Sequence, residues 1–237
     1  MDDIVTETGG GWGVRWAVGH GVAMGALSWA VRSAHISPPT SIALLVTRKV
    51  SLLRALLHVV AQIVGALLAA PVLLGILPRP PRPPQLQPHL TAVQGWGAEF
   101  LATMFVTLIS LSAYESAHAP SRYTKDDHGD STTPKFTPSA VVPVVAVHTA
   151  AALFSADFTG VGLNPARSLA IAVVTGDWRY HWVFWVGPAL GGLLGAFTHE
   201  YTGAKENASG SGQPHPNPFS RDTSRPSAIT STLASPC

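Results

Sequence analysis

Five stretches of the chain stay apolar for about the length that a helix needs to cross hydrocarbon, roughly 20 residues. They are 12–31, 52–77, 95–114, 138–158 and 181–199, and the first is the weakest because Arg15 and His20 interrupt it. Two shorter apolar segments, 38–47 and 165–175, lie between these spans. They are too short to cross, so each is expected to enter the membrane and turn back or, as the alternative, to lie on its surface. Both open the same way. A polar cap, Ser37 or Asn164, precedes a proline, Pro38 or Pro165, at the first helical position, where no N–H is missed. Aligning the two caps also pairs Pro39 with Ala166, Thr40 with Arg167, Ser41 with Ser168 and Ala43 with Ala170. Paired, interrupted segments in matching halves mark an inverted repeat whose half-helix N-termini meet at the midplane of a bilayer.

Composition strengthens that reading. Charged residues make up 12% of the chain and hydrophobic ones 46%, an imbalance that suits a lipid bilayer rather than water as the surrounding medium. The net charge of +2 gives no reason to expect a nucleic-acid partner, and the lone Cys237 excludes an intrachain disulfide and a cysteine-rich metal site. The opening "MDDIVTETGG" is acidic where a secretion signal would be basic. Arg48, Lys49 and Arg54, with Arg122, Lys125 and Lys135, place the two connections that carry them on the cytoplasmic side, while Arg79 and Arg82 dissent from the opposite side. The chain carries no nucleophile elbow, phosphate loop or metal-ligand spacing, and no cofactor is expected. Transport is therefore expected over catalysis. A non-conducting or regulatory membrane subunit, or a truncated remnant, is the alternative, with a membrane enzyme a more distant one.

The stretches "TGVGLNPARS", "QGWGAEF", "VTRKVSLLRALLHVVAQIVGALLAA" and "HWVFWVGPALGG" resemble the aquaporin, or major intrinsic protein, family, and most of all its plant and algal plasma-membrane members. The resemblance covers about residues 12–202. It implies an all-α membrane protein, an aquaporin-like inverted-repeat bundle with two re-entrant half-helices, acting as a passive channel for water or small neutral solutes such as glycerol, urea or hydrogen peroxide. It also implies a homo-oligomer, a tetramer by family likeness, in the plasma membrane. Residues 1–10 are then a short N-terminal segment, 11–202 the channel domain and 203–237 a disordered tail, poor in large apolar residues.

Carried onto this chain, the family's two central motifs fall on Ser37-Pro38-Pro39 and Asn164-Pro165-Ala166. The first departs from the family's Asn-Pro-Ala, and Ser37 is expected to cap its half-helix with a shorter donor. Arg167 supplies the cation of the selectivity filter, and an arginine inside a membrane is costly unless it faces a cavity. The other filter positions fall on Ala152, Val161 and Val18, or on Ala17 if a gap is placed differently; all are small, so a wide constriction is expected. His148 is given no role. Glu99, with Thr103 one turn on, resembles the buried acid that braces the second re-entrant loop. Its counterpart would brace the first loop near His35, but only eleven residues precede the first span, so five of the family's usual six spanning helices are expected and the first is expected to be absent. Small residues at Gly21 and Gly25, Ala61 and Gly65, and Gly191 and Gly195 are expected to let helices approach closely.

Overall fold

The structure is a computed structural model that describes residues 11–30, 35–78, 83–118 and 141–210. Among these residues the only regular structure is helical: α1 (Gly11–Ala30), α2 (Pro38–Val46), α3 (Leu52–Ile76), α4 (Ala92–His118), α5 (Val141–Thr159), α6 (Pro165–Thr175) and α7 (Val183–Gly210). Four of the long helices coincide with apolar spans within a few residues, α7 starts with its span but runs eleven residues past residue 199, and α2 and α6 are the two short segments. By length and apolar composition alone, only α3, α4 and α5 qualify as crossing helices. Helix α1 falls short because Arg15, His20 and several glycines dilute it, and α7 because Pro188, His199 and Glu200 do.

Local chemistry sets the helix limits. Ser51 caps α3 by accepting from the Arg54 amide at 3.4 Å. Gly176, at φ 74°, closes α6 in the left-handed conformation that glycine tolerates. Helix α2 ends at Thr47, whose hydroxyl turns back to the Ala43 carbonyl at 2.9 Å. Pro71 lies within α3 and Pro188 within α7, which membrane helices accept when neighbours satisfy the freed carbonyls.

The packing follows the repeat. Helix α1 lies against α5, and α5 against α4. Half-helix α6 of the second half packs on α3 of the first, and α2 packs on α3 and α4. Helix α7 mirrors α3: Gly192 presses on Pro39 of α2, at 2.9 Å for a side-chain carbon built there. Two of the three predicted small-residue pairs lie at crossings. A methyl at Gly21 would fall 2.0 Å from Thr149 of α5, and one at Gly191 2.2 Å from the Phe100 carbonyl of α4. The third pair does not: nothing lies within 4 Å of Gly65 among the described residues, and Ala61 is exposed.

The bundle forms one compact unit through Thr202. The predicted tail lies outside the described residues from 211 onward, and α7 continues helical across the predicted boundary to Gly210. Arg79, Arg82, Arg122, Lys125 and Lys135, cited above for orientation, also lie outside the described residues.

Candidate functional site

The two half-helices point their N-termini at each other. Asn164 precedes α6 in extended conformation, and its side-chain oxygen accepts from the Ala166 amide at 3.1 Å. Its side-chain amide donates across the repeat to the Ile36 carbonyl at 3.1 Å, tying the second motif to the loop that leads into the first. Pro165 and Ala166 are buried behind it, as are Pro38 and Pro39 on the opposite side. Two helix N-termini thus converge, each with partial positive charge from its unpaired amides.

Ser37 departs from expectation. It occupies the cap position and is buried, but its hydroxyl makes no capping bond; it pairs with the Thr40 hydroxyl at 3.0 Å. The reason is the second proline. The Asn164 cap works because Ala166 has an N–H to give, whereas Pro39, at the matching position, has none. With Pro39 in place, an acceptor on residue 37 therefore lacks the amide that Ala166 offers Asn164. The Ser37 carbonyl still accepts from the Ser41 amide at 3.2 Å.

The loop into α6 is built on Glu99. This carboxylate of α4 is 0% exposed. It accepts from the amides of Gly162 at 2.9 Å and Leu163 at 2.6 Å, and from the Thr159 hydroxyl at 2.5 Å. Glu99 thus bonds the backbone of the loop that enters α6, and its hydroxyl partner is Thr159; the buried Thr103 hydroxyl makes no hydrogen bond among the described residues. Around it Gly160, Val161 and Leu163 all take positive φ, of 65°, 66° and 53°. For a β-branched residue such as Val161 that conformation is strained, and Glu99 holds the backbone that keeps it so. The twist aims the Val161 carbonyl at Arg167, whose guanidinium donates to it.

Arg167 also lies over the Trp16 ring, 5.6 Å from its centroid. Trp16 stacks on His20 at 5.3 Å, and His20 meets His148 of α5 at 6.0 Å. Ala152 and Val161 are buried together with Ala17, which is 1% exposed. Val18 is not among them. It is 44% exposed on another face of α1, because one residue along a helix is a rotation of about 100°. Of the two alignments considered, Ala17 is the residue that packs with Ala152 and Val161, and Val18 lies apart from them. Sequence reasoning did not single out Trp16 and named His20 and His148 without giving either a role, although imidazole groups inside apolar spans are a usable signal.

His35, in the first re-entrant loop, is buried, stacked on His58 of α3 at 4.2 Å, with Tyr114 edge-on. The loop is held from α3 by Gln62, whose amide donates to the His35 carbonyl and to the Ser41 hydroxyl, the latter at 2.9 Å. Gln62 was also missed. A lone amide in the apolar run of α3 was its signal.

A comparison with protein families adds an independent finding: the major intrinsic protein family model matches residues 4–199. The chain belongs to this family. Lens fiber major intrinsic protein of Gallus gallus is 36% identical over 214 residues, 83% of this chain and 76% of that protein. Aquaporin-1 of Canis lupus familiaris is 31% identical over 195 residues, 79% of this chain and 66% of that protein. A probable aquaporin of PIP type from Solanum lycopersicum is 33% identical over 198 residues, 79% of this chain and 65% of that protein. The chain thus spans about two thirds of the length of the aquaporins it matches. Relatives from animals and a plant match alike, so the plant plasma-membrane subgroup is not singled out. The fold and the family are those of passive channels for water and small solutes in membranes, not of enzymes.

Proposed function

We propose that this chain passively conducts water, small neutral solutes, or both, along the path on which α2 and α6 meet, with Asn164 and Ser37 at the centre and Arg167 as the filter's cation. The observation that carries the reading is the Asn164 amide, which bonds the Ile36 carbonyl while its oxygen caps α6. Two converging helix dipoles and a guanidinium raise an electrostatic barrier to cations, hydronium included, without obstructing an uncharged solute.

Around Arg167 we assign the filter to Ala17, Ala152 and Val161, bordered by Trp16, His20 and His148. The small residues and the arginine fit the family's layout. The aromatic border narrows what the small residues alone would leave wide. We further propose a homo-oligomer, a tetramer by family likeness, in the plasma membrane. The plant and algal plasma-membrane subgroup remains our reading of the quoted motifs.

Stopped-flow light scattering of proteoliposomes containing the full chain tests the reading. Osmotic shrinkage faster than in empty vesicles, with a low activation energy and no accompanying proton leak, is expected. Shrinkage at the empty-vesicle rate, at verified protein content, favours the non-conducting subunit instead.

A further inference from the structure

One end of the bundle, away from the Asn164 junction, gathers groups that conduction does not use. Glu115 comes from the last turns of α4, His199 and Glu200 from α7, and Lys49 from the loop after α2. The Lys49 ammonium is 3.0 Å from Glu115 Oε1 and also pairs with Glu200 Oε1. His199 Nε2 is 3.4 Å from Glu115 Oε2, and His199 Nδ1 is 3.8 Å from Glu200 Oε1. A ligand atom from each of Glu115, His199 and Glu200 lies within 4.8 Å of the other two. His199 is only 8% exposed, and its buried Nδ1 makes no hydrogen bond. A buried ring nitrogen without a partner, aimed at a carboxylate, is a poor arrangement for stability alone.

We infer that Glu115, His199 and Glu200 form a binding site for a divalent transition-metal cation of the zinc class, with Lys49 as the resident counter-cation that the metal displaces. One imidazole and two carboxylates make a nitrogen–oxygen donor set suited to Zn²⁺, with open positions for water. Bond lengths of about 2.0–2.2 Å and tetrahedral angles put ligand atoms roughly 3.4 Å apart around the metal. The three groups close onto an ion with small side-chain adjustments, since both glutamates are partly exposed. Lys49 and the metal cannot share the same carboxylate oxygens. Metal binding therefore frees the loop that follows α2, one of the two half-helices at the junction.

Calorimetric titration of the full chain in detergent micelles with Zn²⁺ alone tests the inference. The wild-type chain is expected to bind one equivalent in a step that Glu115→Gln and His199→Gln each weaken by at least the roughly 10–100-fold that supporting partners of metal ligands are worth. Lys49→Met is expected to bind about ten-fold tighter or better, since a competing charge is gone. A gain of affinity at unchanged one-to-one stoichiometry, with the helical circular dichroism of the wild type, keeps the test decisive if the other variants are unstable. Two results overturn the inference: His199→Gln titrating like the wild type, which assigns the zinc to other histidines, or Lys49→Met binding no tighter than the wild type.

Discussion

At the scale of single residues, the altered first motif is the most informative change. Since Pro39 offers no N–H, an asparagine at position 37 would find no amide to match the one that Ala166 gives Asn164. Ser37→Asn alone is therefore expected to leave water permeability unchanged or lower it, and Ser37→Asn with Pro39→Ala to raise it. Stopped-flow rates at equal protein content decide, and equal gains from the single and double variants would contradict this dependence on Pro39. Glu99 allows a stability prediction. Its removal in Glu99→Ala leaves the buried amides of Gly162 and Leu163 without their acceptor, at about 1–3 kcal/mol for each. A lower melting temperature in detergent, with loss of flux as the Val161 twist relaxes, is the expected outcome. The acid itself was legible in the sequence, because a carboxylate in an apolar span needs a reason. Its partner was not: whether Thr103 or Thr159 reaches it depends on how α4 and α5 cross.

Among elements, the spans and both half-helices could be read from apolar run length and the repeated cap-proline opening, which are local features. The faces could not. Val18 and Ala17 differ by one position and lie on different sides of α1, and Ala61 and Gly65 have the spacing of a close crossing without lying at one. Such facts follow from rotation about a helix axis, which sequence spacing fixes only relative to a known neighbour. Connections are legible still less. The segment before α4 docks on the end of α5 through the Gln85 amide to the Thr159 carbonyl at 2.9 Å, and the Gln85 side chain donates to Asp177 at 2.7 Å. Hydrogen bonds from Arg179, side chain first and then backbone, lower the Asp177 pKa from 3.8 to about 2. A depressed carboxylate contributes stability that is fully present above its unfolded value, roughly 3.9, and is lost as pH falls through the folded one. Wild type and Asp177→Asn are accordingly expected to differ in melting temperature at pH 6 and to converge towards pH 2. The difference is small, since the pair is exposed and screened. A gap that stays constant across this window would contradict the assignment.

For the whole molecule, the proposed path runs where the two half-helices meet, and on that reading selectivity belongs to the assembly rather than to any one motif. The small residues Ala17, Ala152 and Val161 are packed together, and side chains this short are expected, taken alone, to make a wide constriction beside Arg167. The Trp16 ring under the guanidinium and the His20–His148 contact take some of that room back. Pore diameter and the donors lining it decide what passes, and these two sets of residues pull in opposite directions. If the small set dominates, urea, glycerol and hydrogen peroxide pass with water, and Ala152→His removes the larger solutes while sparing water. If the aromatic border dominates, the wild type is selective for water and Trp16→Ala admits urea and glycerol. The border is expected to dominate, because Trp16 touches Arg167 directly whereas Ala152 has no polar atom to hold a solute there. Isotonic urea and glycerol uptake, measured beside water flux in the wild type, Trp16→Ala and Ala152→His, separates the two. Trp16→Ala should raise the solute-to-water ratio about ten-fold, the equivalent of some 1.4 kcal/mol in barrier height, and should leave proton exclusion intact, since the half-helix dipoles and Arg167 are untouched. A wild type that already takes up glycerol freely would place the selecting contact elsewhere along the path.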